Sequence, residues 1–162
     1  MKRLIGIVVV IICCALAYLY WTERNALVSI TLTSPRNTAM YNRVDVSLAK
    51  PAPVYVEYTD KSSGKSYRTR ISSADTLHHI DLLLLKANTE YSYNVIIDNF
   101  FKQKSKELTF KTREQSSWLV NHWFTDKRPH DTTALGDGMI LLCFGRLPGY
   151  MVLIDNEGEV RW

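Results

Sequence analysis

The chain has 162 residues, of which 46% are hydrophobic and 22% are charged. This balance is typical of a folded domain and excludes a disordered tail, a collagen-like repeat and a coiled coil. Three cysteines are too few for a disulfide scaffold. The formal net charge is +4, and because the cations are spread along the chain, we do not expect nucleic acid as a partner.

The N-terminal segment predicts a membrane element. Leu4 to Trp21 form 18 residues without a charge or a proline, and a helix of that length spans about 27 Å, close to the hydrocarbon thickness of a bilayer. Lys2 and Arg3 place the N-terminus in the cytoplasm. We expect residues 1–21 to be an uncleaved signal anchor in the inner membrane, with the bulk of the chain in the periplasm. The alternative is a signal peptide cleaved after Ala15-Leu16-Ala17, which would release a secreted protein.

From Leu27 onward, apolar and polar residues alternate with a period of two, which predicts strands with one buried face. Seven such strands occur in roughly 85 residues, the spacing of a β-sandwich. Residues 27–113 are therefore the predicted all-β domain. Three of its strands are expected at Leu77 to Leu84, Glu90 to Asp98 and Ser105 to Thr112. The expected inward-facing residues include Val44, Val46, Leu48, Val54, Val56, Tyr58, Tyr91, Tyr93, Val95, Ile97, Leu108 and Phe110.

One segment of this domain carries a specific motif. Leu85 to Val95 resembles the fibronectin type III pattern Leu-x-Pro-x-Thr-x-Tyr-x-(aromatic)-x-Val, with Ala87 in place of the proline. In such sandwiches a tyrosine at the start of the sixth strand returns its hydroxyl to the backbone of the preceding crossover. The resemblance gives this role to Tyr91 and implies a seven-stranded fibronectin type III-like sandwich, although no tryptophan occurs between Leu27 and Arg113.

The composition changes again after the sandwich. Residues 114–135 show no clean period and are interpreted as a linker. Gly138 to Phe144 predicts a buried strand, Tyr150 to Asp155 a second, and Glu159 to Trp162 the beginning of a third. Three such apolar strands are not stable alone. Residues 136–162 therefore predict the start of a β-propeller blade, and the alternative is an edge hairpin folded onto the sandwich.

The order of these segments and the sequence from Gly149 to Trp162 resemble the N-terminal third of bacterial arylsulfotransferases. Propeller blades of that family carry (Val/Leu)-x-Asp-x-x-Gly-x-(Val/Ile)-x-Trp. The matching positions here are Leu153, Asp155, Gly158, Val160 and Trp162. The resemblance implies sulfate transfer between phenols through a propeller histidine, without a nucleotide cofactor. By the same resemblance these catalytic groups lie beyond the 162 residues, so we assign no catalytic, cofactor-binding or metal-binding residue here.

The histidines are not expected to form a metal site. His78 and His79 are adjacent in a strand and therefore face opposite sides. His122 and His130 lie in the linker and match no standard ligand spacing. Cys143 is expected to pack as a small apolar residue within its strand.

Two segments after the sixth predicted strand bear on contacts. Lys102, Lys104 and Lys106 alternate with polar residues, which is typical of an edge strand protected by lysine. Phe100 and Phe101 precede them and are candidates for contact with a membrane surface.

Two functions are consistent with the sequence. The first is an N-terminal fragment of a membrane-anchored arylsulfotransferase-like protein, inactive by itself. Its partners would be the membrane through residues 4–21 and either the rest of its own propeller or a second copy bound through the sandwich. The alternative is a non-enzymatic, membrane-tethered fibronectin-like module that binds a protein or a glycan.

Overall fold

The computed structural model describes residues 2–24, 27–35, 40–115, 117, 138–144, 150–156 and 158–161. These ranges contain a helix, α1 (Lys2–Glu23), and ten strands. The strands are β1 (Leu27–Thr33), β2 (Asn42–Ala52), β3 (Val54–Asp60), β4 (Ser66–Arg68), β5 (Asp75–Leu82), β6 (Glu90–Ile97), β7 (Gln103–Lys104), β8 (Leu108–Lys111), β9 (Met139–Phe144) and β10 (Tyr150–Asp155).

Strands β1 to β8 form a sandwich-like pair of antiparallel sheets. One sheet has the order β1-β2-β5, and the other has the order β4-β3-β6, with both β7 and β8 paired to β6. Of the last predicted sandwich strand, Ser105 to Thr112, only Leu108–Lys111 is a strand, which is β8, and the short β7 precedes it. Ser105 lies between them, and its backbone and hydroxyl still bind the backbone of Val95 at 2.8 and 2.9 Å. Of the three alternating lysines only Lys104 lies in a strand, the edge strand β7.

The core lies between the two sheets, and the alternation read from the sequence is confirmed. Ten predicted inward residues are buried in it: Val44, Val46, Leu48, Val54, Val56, Tyr58, Tyr91, Tyr93, Val95 and Ile97. Phe110 is buried as well, and Leu108 is half-buried against the same core. Strand β5 ends at Leu82, two residues earlier than predicted, and Leu84 beyond it adopts a φ of +59°.

The N-terminal segment is the predicted helix. Its side chains from Gly6 to Trp21 are exposed on every side. Its C-terminal end contacts the sandwich, where the Lys50 ammonium donates a hydrogen bond to the carbonyl of Thr22 at 3.0 Å. Within the ranges described above, no helix is long and apolar enough to cross a membrane, and the predicted crossing is without support.

Strands β9 and β10 form an antiparallel hairpin that packs on the sandwich through one face. Val152, Ile154 and Val160 belong to the same core cluster as the sandwich residues. The predicted third strand is reduced to a bridge between Ile154 and Val160. The hairpin sheet has two strands among the described residues, and Trp162 lies outside them.

The prediction that the segment of β9 is buried is wrong. Met139, Ile140, Leu141 and Cys143 are all exposed, because among the described residues of β9 only Leu142 packs against the core, where it is half-buried. Cys143 therefore does not pack as a core residue. Of the predicted linker, the structure describes only 114, 115 and 117.

Candidate functional site

The hairpin meets the sandwich through a buried ion pair. The Arg161 Nε lies 2.6 Å from Asp155 Oδ2, and the two side chains are 7% and 9% exposed, respectively. Burial alone would lower the pKa of Arg161, but the hydrogen bond and the charge of Asp155 outweigh it and raise that pKa above its usual range. Arg161 therefore keeps its charge in this buried position.

The turn between Asp155 and Arg161 shows why its residue types are needed. Asp155 Oδ1 accepts a hydrogen bond from the backbone N–H of Glu159 at 2.9 Å, and the backbone N–H of Gly158 donates to the Asp155 carbonyl at 3.1 Å. Gly158 has a φ of +78°, a conformation that favours glycine. The Asp-x-x-Gly part of the motif is thus a turn closed by the aspartate side chain.

Arg161 also reaches the sandwich itself. One of its terminal nitrogens donates to the carbonyl of Leu84 at 3.4 Å, and Tyr58 donates its hydroxyl to the neighbouring carbonyl of Leu83 at 3.3 Å. The Tyr58 ring stacks on Tyr67 with centroids 5.2 Å apart. Burial, together with the nearby Tyr67 and Tyr91, raises the pKa of Tyr58 to about 12, against a smaller lowering by Arg161. The Arg161 guanidinium therefore lies at the end of the sandwich that carries Tyr58 and Tyr67.

Tyr91, the tyrosine that the sequence motif identifies, lies next to Tyr58 at this end of the sandwich. Tyr91 is completely buried, and its hydroxyl accepts a hydrogen bond from the backbone N–H of Lys86 at 2.8 Å. The Thr112 hydroxyl donates to the carbonyl of the same residue at 2.6 Å. The predicted bond between the Tyr91 hydroxyl and the preceding crossover is confirmed. It holds the connection from β5 to β6 in place at Lys86.

Two open clefts adjoin these elements. The first has a volume of about 450 Å³ and lies between the crossover and the hairpin turn; Glu114 and Glu159 give its lining acidic groups, and Asn88 and Gln115 add amides. The second, of about 420 Å³, is a depression on the outer face of the β4-β3-β6 sheet. Its lining is Glu57, Thr59, Ser66, Tyr67, Arg68, Ser92, Asn94, Lys104 and Glu107. Both linings offer hydrogen bonds to a polar ligand.

The two described histidines are not brought together. His78 is buried, with Nδ1 2.8 Å from the Ser72 hydroxyl and Nε2 2.8 Å from the Asp75 carbonyl. His79 is exposed on the opposite face, with Nδ1 2.6 Å from Asp45 Oδ1. The prediction that they face opposite sides is confirmed.

Within the described ranges, no group of three or more histidine, cysteine or acidic side chains could hold a metal ion. The other two histidines of the chain, His122 and His130, lie outside those ranges.

Sequence reasoning missed the role of Arg161. The available signal was an aspartate and an arginine on either side of an Asn-Glu-Gly turn, which places the two side chains near each other across the turn. Nothing in the local sequence indicates that Arg161 contacts the carbonyl of Leu84, because 77 residues separate the two.

Neither a known protein family nor a curated protein matches this chain. Among solved structures, one described as a computer-based redesign of a β-sandwich protein is similar at 19% identity, with a TM-score of 0.41. That similarity covers 56% of this chain and 96% of the other.

Proposed function

We propose that this chain is the non-catalytic N-terminal region of an arylsulfotransferase-like protein. In this proposal the sandwich holds the first strands of a propeller, and the propeller holds the chemistry. The observation that supports it best is the turn from Asp155 to Arg161, because it gives a structural reason for three positions of the blade-like motif, Asp155, Gly158 and Val160. Leu153 and Val160 lie on either side of that turn. Val160 forms the bridge with Ile154, and the carbonyl of Leu153 accepts a hydrogen bond from the backbone N–H of Arg161.

A structural role for these residues fits a repeated unit. Asp155 closes the turn and Gly158 supplies the positive φ that the turn needs. Val160 enters the core. A turn of this kind can recur in each blade of a propeller, because none of its residues depends on a substrate.

The type of sandwich is part of the same proposal. A three-stranded sheet of order β1-β2-β5 facing a sheet of order β4-β3-β6, with the Tyr91 hydroxyl on the crossover backbone, supports a fibronectin type III-like domain. Such a domain supplies a rigid body against which an apolar hairpin can pack. The buried ion pair of Asp155 and Arg161 stabilises that packing.

The depression on the outer sheet face favours a second candidate function, a non-enzymatic binding module. Its polar lining surrounds Arg68, whose guanidinium lies 3.9 Å above the ring centre of Tyr55. A depression lined by hydrogen-bonding groups suits a glycan or a polar protein surface.

The reading frame downstream of Trp162 tests the first proposal. We expect further Asp-x-x-Gly-x-x-x-Trp repeats, and we expect the protein that includes them to transfer sulfate from a chromogenic aryl sulfate to a phenol. Replacing a propeller histidine should abolish transfer. His79→Ala should not, since His79 is an exposed sandwich residue paired with Asp45. A reading frame without such repeats, or a repeat-bearing protein without transfer, contradicts the proposal.

A further inference from the structure

One end of the sandwich carries an aromatic surface next to the end of α1. The rings of Tyr20 and Phe101 are in edge contact with centroids 5.2 Å apart, and Phe101 contacts Phe100 at 5.1 Å. Phe100 and Phe101 lie in the loop from β6 to β7. We call Tyr18, Tyr20, Trp21, Phe100 and Phe101 the aromatic end.

The aromatic end is strongly exposed. Phe100 is 80% exposed and Trp21 is 75% exposed, although large aromatic side chains are usually at least partly buried. Tyr18 and Tyr20 lie on the same final turns of α1 and are exposed as well. Tyrosine and tryptophan at the end of an apolar helix are typical of the boundary between lipid headgroups and acyl chains.

The helix that leads into the aromatic end points to the same occupant. Residues 7–12 are six consecutive valines and isoleucines, all exposed. An exposed apolar surface of this kind favours contact with the interface of a bilayer, where apolar side chains leave water without the helix crossing it.

Basic groups border the aromatic end. Lys102 and Lys104 follow Phe100 in the chain, with side chains 66% and 56% exposed, and each is 4.0 Å from an acidic group. Arg24 is exposed directly after α1, and Lys50 caps the helix end through the carbonyl of Thr22. Such a border complements an anionic surface.

We propose that the aromatic end lies against an anionic lipid bilayer, with Phe100 at the acyl boundary and Lys102 and Lys104 at the headgroups. Contact of this kind needs only an apolar, basic surface. It does not need a segment that crosses the bilayer. It is independent of the proposed sulfate transfer. It also orients the sandwich, because the loop from β6 to β7 faces the lipid while Leu83, at the far end of β5, faces away.

Fluorescence quenching by lipid tests this orientation in the full chain. Cys13, Cys14 and Cys143 are replaced by alanine, and a bimane dye is attached after Phe100→Cys. The matched control is Leu83→Cys, since Leu83 is an exposed apolar residue at the opposite end of the sandwich. Vesicles contain phosphatidylcholine and phosphatidylglycerol with brominated acyl chains. Circular dichroism confirms that each labelled variant is folded.

We expect the dye at position 100 to lose most of its emission and the dye at position 83 to keep it. The double change Lys102→Gln and Lys104→Gln should weaken vesicle binding about tenfold, whereas Lys61→Gln with Lys65→Gln, at the other end of β3, should not. Equal quenching at both sites, or none at position 100, overturns the proposal. A blue shift at position 100 in concentrated protein without vesicles also overturns it, in favour of contact between two copies.

Discussion

The sandwich and the C-terminal hairpin are built from strands of similar apolar character, yet they bury them differently. In β6 the residues Tyr91, Tyr93 and Val95 are buried between two sheets. In β9 the residues Met139 and Leu141 are exposed. The difference shows that an apolar run determines where a strand forms, whereas burial depends on whether a second layer faces it.

The two regions are also stabilised by different interactions. The sandwich has a continuous apolar core and a tyrosine whose hydroxyl binds the crossover backbone. The hairpin adds three apolar residues to that core and relies on the buried pair of Asp155 and Arg161. Each of the following changes tests one side of this comparison.

The largest effect is expected from Arg161→Ala. It leaves the buried carboxylate of Asp155 without its partner, which should destabilise the attachment of the hairpin by about 3–5 kcal/mol. Hydrogen exchange of the amides in β10 should accelerate, while exchange in β6 should change little.

Arg43→Ala is the matched control for this change. Arg43 makes the same Nε contact with Asp81, at 2.9 Å, but the two side chains are 45% and 42% exposed. An exposed pair contributes about 0–1 kcal/mol. Equal, small effects of the two substitutions would show that the Arg161 pair does not hold the hairpin.

Alkaline pH should weaken the sandwich at its tyrosine-lined end. The pKa of Tyr58 is raised to about 12, from an ordinary value near 10, so its neutral form stabilises the fold below pH 10. This contribution is lost as the pH rises from about 10 to about 12. Two pKa units correspond to on the order of 3 kcal/mol.

Urea unfolding at several pH values measures that loss. In Tyr58→Phe the decline between pH 10 and pH 12 should become shallower, since the raised group is gone. An identical decline in the native chain and the variant would contradict the role of Tyr58.

Tyr91→Phe should destabilise the sandwich by about 1–3 kcal/mol, because the buried N–H of Lys86 loses its acceptor. Tyr41→Phe is the control. The Tyr41 hydroxyl donates a hydrogen bond to Asp81 at 2.6 Å in an exposed position, so water can replace it and its removal should cost at most about 1 kcal/mol. Urea unfolding of both variants measures the two losses. A loss for Tyr41→Phe as large as that for Tyr91→Phe would contradict the role of Tyr91.

Alanine substitution of Gly64 and Gly158 should have the smallest effects on stability. The two changes distinguish the sandwich, which contains Gly64, from the hairpin region, which contains Gly158. Gly158 and Gly64 have φ values of +78° and +71°, and no atom lies within 4 Å of an added Cβ at either position. Each substitution by alanine should therefore cost about 1 kcal/mol from backbone strain alone. Gly64→Ala should lower the global stability in urea, and Gly158→Ala should accelerate hydrogen exchange in β10 only. Identical responses of β6 and β10 to both changes would contradict separate stabilisation.

Much of the sandwich could be predicted from the sequence. Alternation in β2, β3 and β6 identified the buried face, because strand side chains point to opposite sides in turn. The motif around Tyr91 identified a hydrogen bond to the backbone of Lys86, five residues earlier, because the position of that tyrosine relative to Leu85 is tied to one local geometry. Neither inference needed knowledge of distant contacts.

The junction could not be predicted in the same way. The contact of Arg161 with Leu84 depends on how the hairpin is placed on the sandwich, and no local pattern encodes it. The exposure of β9 has the same origin: its apolar run is compatible with burial, and only the absence of a described layer over it leaves Leu141 exposed. The last sandwich strand, β8, begins at Leu108 and not at Ser105, and this also depends on a tertiary contact, since the Ser105 hydroxyl bonds the backbone of Val95.

An assay of the 162-residue chain by itself tests most directly whether the chemistry lies outside this region. The chain is incubated with a chromogenic aryl sulfate and a phenol acceptor, and release of the coloured phenol is followed. We predict no release above a buffer control, because sulfuryl transfer needs several groups that converge on one site. His78 is buried against Ser72 and a backbone carbonyl, and His79 is exposed on the opposite face beside Asp45, so the two do not share a site. Release that His78→Ala or His79→Ala abolishes would contradict this prediction and place a catalytic residue within the sandwich.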